Sequence, residues 1–161
     1  MALQAFSSHY GFRAKPVEAI DERRAFALVS LTWPRLQFAE WGEMVAERQR
    51  AVSGQGLWIA IEDLRDYIHA LFFCQLTISS GSQTVLRVSD IIVAELPGRP
   101  VILSAIECVV HLAWSCGATA IDFDLEESIG RYAMEMVQDY FRREGWAETS
   151  RTASRFYPRF N

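Results

Sequence analysis

The chain has 161 residues, half of them hydrophobic and 12% aromatic, which is enough apolar material for the core of one domain. A formal net charge of −4 argues against generic nucleic-acid binding. No uncharged apolar run approaches the roughly 20 residues of a membrane span. Residues 1–10 have neither a basic start nor a long apolar stretch, so no signal peptide is expected there. The three cysteines, Cys74, Cys108 and Cys116, give no disulfide framework and no zinc-site spacing. They read as small hydrophobes in the reduced core of a cytoplasmic protein.

Residues 1–10 read as a flexible tail ahead of a single domain that takes up the rest of residues 1–161. A short strand over residues 12–17 ends at Pro16. Asp21 is placed to cap a helix running to about Trp33, with Glu22 in the first turn, where the dipole favours acid. Ala25, Leu28, Val29 and Trp33 give that helix an apolar face. Pro34 stops or kinks it. A second helix over residues 35–50 carries Leu36, Phe38, Trp41, Met44 and Val45 near helical spacing, and Ser53-Gly54-Gln55-Gly56 makes a turn. Three strands follow, over residues 57–61, 67–78 and 84–94, with a turn at residues 79–82. Such turn-linked strands pair most simply as antiparallel neighbours.

Residues 101–116 form an apolar helix that is too short to span a bilayer and carries Glu107 and His111. It reads as a buried crossover to a strand over residues 118–125, which makes that strand parallel to the one before it. A last helix runs from about Ser128 to Arg143, with Tyr132, Met136, Val137 and Tyr140 on one side and Gly145 closing it. Residues 146–150 and 152–157 read as closing strands. The order gives an α/β (α+β) class: one mixed, mostly antiparallel sheet with helices on both faces.

Familiar catalytic signatures are missing. The chain has no G-x-S-x-G elbow, H-E-x-x-H, Walker loop or G-x-G-x-x-G. Asp122 and Asp124 share one strand face but have no further ligands in sequence, so no metal is expected. His111 reads as a core histidine, and neither His9 nor His69 has a partner visible in the sequence. Arg142, Arg143, Arg151, Arg155, Phe156 and Tyr157 suit either an anion or partner surface or a guarded edge strand.

Three segments, taken in this order, resemble the GNAT acyltransferase superfamily. Val88-Ser89-Asp90-Ile91-Ile92-Val93 is similar to its central strand, an acid followed by apolar residues ending in valine. Gly98-Arg99-Pro100 stands before the apolar helix, where the family has an R/Q-x-x-G-x-G/A loop. Tyr140-Phe141-Arg142-Arg143-Glu144-Gly145-Trp146 resembles its F-Y-x-x-x-G-F signature. The resemblance implies a GNAT-like fold and an acyl-CoA co-substrate, from which an acetyl or other acyl group passes to an amine on an unidentified small molecule or protein. It implies that the main chain around Ile92 and Val93 holds the pantetheine arm. Gly98, Arg99, Val101, Ile102 and Leu103 would receive the phosphates, whose natural partners are the N–H groups of a helix N-terminus. Asp90 or Glu95 would take a proton from the amine, with Glu62 as a third acid at a strand end.

The chain also departs from the family pattern. Arg99, Val101 and Leu103 stand where glycines are preferred, and their side chains are expected to crowd the phosphates. Pro100 has no N–H to offer. Phe141 takes the place of the tyrosine that many members use to protonate the leaving thiolate. Tyr140 is the nearest hydroxyl, about 100° round the helix. These departures keep a second reading open: a non-catalytic GNAT-fold module that binds another molecule. A homodimer fits either reading, and neither calls for nucleic acid or membrane.

Overall fold

The computed structural model describes residues 6–18, 21–51, 56–79, 82–98, 100–124, 131–148 and 154–158. Strands β1 (Phe6–Ser7) and β2 (Arg13–Pro16) precede helices α1 (Glu22–Thr32) and α2 (Phe38–Ala51). Next come β3 (Gly56–Glu62), β4 (Ile68–Ile78) and β5 (Thr84–Val93), helix α3 (Val101–Ser115), β6 (Ala120–Phe123), helix α4 (Arg131–Arg143), and finally β7 (Trp146–Glu148) and β8 (Ser154–Pro158). They build one sheet in the order β1-β2-β3-β4-β5-β6-β8-β7. Every neighbouring pair is antiparallel except β5 and β6, which α3 joins as a crossover.

The sheet is buried on both faces, which is why β3 reads as an unbroken apolar run. Ile59 and Ile61 pack with Leu86, Val88 and the α3 residues Ile102, Ala105, Ile106 and Val109. Trp58 and Ala60, alternating with them, pack on the opposite face with Leu71, Phe73, Ile92 and the α1–α2 residues Ala25, Val29, Trp41 and Val45. The apolar character of α3 follows from the same layering: Val101, Ala113 and Cys108 are fully enclosed.

Two local expectations change. Residues 6–10, read as tail, instead form β1 and a turn closed by Ser8 N–H to the Phe12 carbonyl (2.8 Å). The Ser8 hydroxyl donates to Ser104 Oγ on α3 (2.9 Å), tying this corner to the core. A two-residue strand has too little periodicity to be read ahead of folding. Asp21 stands at the start of α1 but makes no capping hydrogen bond. It is buried, and its carboxylate takes Lys15 Nζ (2.9 Å) and Arg24 Nη1 (3.1 Å). The hydrogen bond to Asp21 holds the Lys15 ammonium above its usual pKa.

Glu62, an acid at a strand end, belongs to the same network rather than to an open site. It is buried, and it meets Arg24 (3.0 Å), Arg13 (3.3 Å) and Lys15 (3.6 Å). Glu62→Ala leaves three cations without their shared anion. It is expected to cost about 1–3 kcal/mol by urea denaturation, less than a fully buried pair would, because the cations are partly solvated.

Candidate active site

The sheet opens between β5 and β6. Residues 85–88 pair with Ala120–Phe123, and Asp124 N–H reaches the Val88 carbonyl (2.8 Å). Beyond that point residues 89–93 pair only with β4 among the described residues. The cause is a bulge. Phe73 faces Ser89 and Leu71 faces Ile92, so two residues of β5, Asp90 and Ile91, stand against Phe72 alone. Asp90 absorbs the bend with φ +52°, a left-handed conformation that aspartate tolerates better than branched residues do.

A polar cavity of about 170 Å³ lies where the strands part, lined by Arg48, Gln75, Arg87, Ser89, Asp90 and Asp124. Arg48, from the end of α2, grips both oxygens of Asp90 (3.0 and 3.3 Å) while its guanidinium lies over Phe73. The Ser89 hydroxyl donates to Asp90 Oδ2 (3.0 Å). Arg87 pairs with Asp124 (2.9 Å). Ile92 is buried against the α1–α2 side, and Val93 packs partly buried on the α3 side. A larger cleft of about 640 Å³ opens at the far end of β5, beside Ala94, lined by Arg23, Arg24, Arg65, Leu28, Leu31 and Tyr67 among others.

Glu95 lies two residues past β5 and reaches the start of α3. Its Oε2 accepts the Val101 N–H (2.9 Å) and its Oε1 the Ile102 N–H (2.8 Å). Pro100 is the cap residue and supplies no side-chain bond, so a carboxylate five residues upstream does the capping. Each oxygen of Glu95 is thus engaged with the helix start. Val101 and Ile102 turn their side chains into the core, and Leu103 packs partly buried on it. Side-chain crowding by Val101 therefore does not obstruct this helix terminus; the carboxylate of Glu95 does. Gly98 turns the loop with φ +73°. Arg99 lies outside the described residues. Two N–H groups of the first turn of α3, those of Val101 and Ile102, thus already hold an anion.

The aromatic pair on α4 divides between two surroundings. Phe141 is fully buried, edge-on to Phe123 (5.5 Å) and Trp146 (5.6 Å). Tyr140 is half-buried. Burial, followed by the charges of Glu144 and Glu107 and the nearby Tyr10, pushes its phenol up to about 12, so it stays protonated. Its neighbours belong to α3 and the β1–β2 turn, not to the cavity around Asp90. Gly145 closes α4 with φ +75°, as its position after the last turn requires.

Sequence reasoning missed Arg48 and Gln75, which carry no motif and lie 42 and 15 positions from Asp90, and Arg87, which stands on β5 itself but carries no motif. It also missed the partners of two histidines. His9 Nδ1 meets Glu107 (3.0 Å) and His69 Nε2 meets Asp63 (3.2 Å). Among the described residues no group of three or more His, Cys, Asp or Glu could hold a metal. None of the described helices is long and apolar enough to cross a membrane.

No protein-family profile matches the sequence, and no curated protein sequence does either. Solved structures do match. The spermidine N-acetyltransferase of Vibrio cholerae, solved with CoA and spermine, is 15% identical with a TM-score of 0.64, over 91% of this chain and 94% of that one. An aminoglycoside 6'-N-acetyltransferase of Acinetobacter baumannii is 19% identical with a TM-score of 0.63, over 94% and 99%. An acetyltransferase of Trypanosoma brucei is 14% identical with a TM-score of 0.61, over 87% and 95%. At these identities the likeness concerns the fold.

Proposed function

We propose, from the premise that this chain has the fold of the GNAT acyltransferases, that it moves an acyl group from a pantetheine thioester to an amine. The carrying observation is the parting of β5 and β6 at the Asp90 bulge. Among the described residues it leaves 89–93 with a main-chain edge on the side away from β4. An extended amide arm pairs with such an edge as an added strand. This puts the thioester beside the polar cavity.

The acceptor amine enters from the α1–α2 side, its ammonium replacing Arg48 as the counter-ion of Asp90. Asp90 takes the proton, and the nitrogen lone pair attacks the thioester carbonyl. The C–N bond forms, the C–S bond breaks, the sulfur leaves with the bonding pair, and the departing thiolate takes up the second proton that the nitrogen sheds, giving an amide and a thiol. An alkyl thiol has a pKa of about 8.5, so the thiolate is a competent leaving group near neutral pH without a phenol beside it. That chemistry is compatible with Phe141 in the apolar core. The cleft beside Ala94, with Arg23 and Arg65 as well as Asp66 among apolar side chains, suits an acceptor that also carries an anionic group near the arginines.

The test is thiol release from an acetyl thioester over a panel of amines. Asp90→Asn is expected to lower kcat/KM by roughly 100-fold, the usual contribution of a positioned base. Equal activity of Asp90→Asn and the parent would remove Asp90 from the reaction. The second reading is a binding module without catalysis. It draws on the closed state of the site: Arg48 satisfies Asp90, and α3 satisfies Glu95. A protein that binds no thioester at residues 89–93 would favour that reading.

A further inference from the structure

The start of α3 holds an anion that belongs to the chain itself. Val101 and Ile102 give their N–H groups to the two oxygens of one carboxylate, Glu95 (2.9 and 2.8 Å). Ser104 N–H closes on the Pro100 carbonyl (3.4 Å), and Pro100 has no N–H. These contacts engage two of the first-turn donors that would otherwise bind a phosphate, those of Val101 and Ile102. Glu95 also stands on the path from Val93 to α3, where any donor lying along β5 must place whatever follows its pantetheine arm. A diphosphate arriving there meets a like charge and finds these two donors occupied. At the strand gap, before an acceptor enters, Arg48 and Arg87 are each paired with an acid.

We infer that the acyl donor is a pantetheine thioester that brings no diphosphate to α3, Glu95 standing where that diphosphate would sit. The inference rests on the acyl-transfer reading and narrows its donor. Bond changes are those already given: the acyl carbon exchanges sulfur for nitrogen, and the thiol departs carrying only its arm. Glu95 is a specificity residue in this scheme and touches no reacting atom.

The experiment follows backbone amides of the ¹⁵N-labelled protein during titration with acetyl-pantetheine, acetyl-CoA and adenosine 3',5'-bisphosphate. Acetyl-pantetheine and acetyl-CoA are expected to shift residues 89–93 with affinities within about threefold of each other, a difference under 1 kcal/mol. Val101 and Ile102 stay unmoved, and the nucleotide alone shifts nothing. Glu95→Gln keeps an oxygen for one N–H and removes the charge. It is expected to raise acetyl-CoA affinity about tenfold over acetyl-pantetheine. Glu95→Ala checks that result without the residual acceptor. A parent protein that prefers acetyl-CoA more than about tenfold, with Val101 and Ile102 shifting, overturns the inference and leaves acyl transfer standing. No shift at residues 89–93 with either thioester overturns both. An acetyl-phosphopantetheine arm on an isolated carrier protein distinguishes the source. Tighter binding than the free arm marks a protein-borne donor, equal binding a free one, and either keeps the inference.

Discussion

Phe141→Ala is expected to lower the free energy of unfolding by about 3–5 kcal/mol, measured by urea denaturation with tryptophan fluorescence. The side chain is fully enclosed and meets Phe123 and Trp146 edge-on, so truncation removes apolar burial and opens a cavity between α4, β6 and β7. The ring contacts add to the loss, since edge-to-face pairs contribute about 0.5–1.5 kcal/mol beyond area. The milder change Phe141→Tyr separates volume from polarity. It fills the same space but carries a hydroxyl into a pocket of rings, and about 1–3 kcal/mol is expected to be lost. A loss below about 1 kcal/mol for alanine would mean that α4 does not seal this end of the sheet. The ring contacts make Phe141 a core residue.

The second large effect is alkaline. Burial pushes the Cys108 thiol from 9.0 up to about 12 and raises Cys74 well above the ordinary range. Burial raises Cys116 as well, and Tyr140 rises from 10.0 to about 12. In each case the folded protein holds a proton that the unfolded chain gives up at a lower pH. The stabilisation is fully present below about pH 9, where neither state has lost the proton, and drains away as pH climbs toward 12. Cys108 alone, at about 1.4 kcal/mol per unit, contributes on the order of 4 kcal/mol to that fall. Urea unfolding across the pH series is expected to be level from neutrality to about pH 9 and to drop steeply above it. Cys108→Ala should flatten part of the drop. A profile still level at pH 12 would show that these thiols are not enclosed.

Much of the architecture was legible because its signals are local. The β-formers of β4, the apolar run of α3, Gly145 after α4 and the crossover between β5 and β6 each depend on residues a few positions apart, and each stands where periodicity puts it. The acid of the central strand was legible too, though its conformation was not. The φ of +52° at Asp90 comes from the register that β4 imposes on β5. Strand β1 escaped notice because two residues show no period. Their place depends on Phe6 and Ser7 meeting Ala14 and Arg13 across a turn.

The site divides along the same line. Residue types and spacing established an α/β chain with an acid-bearing strand before an apolar crossover helix and a glycine-poor loop between them. Tertiary structure alone decided which charges meet. Arg48 came to Asp90 from 42 positions away, Arg87 to Asp124 from 37, and Glu95 turned forward onto the Val101 and Ile102 N–H groups of α3. The physical reason is range. Backbone propensity and side-chain period act between neighbours along the chain, whereas a hydrogen bond or an ion pair requires atoms within a few ångströms of each other, and only the packed sheet and helices bring them there.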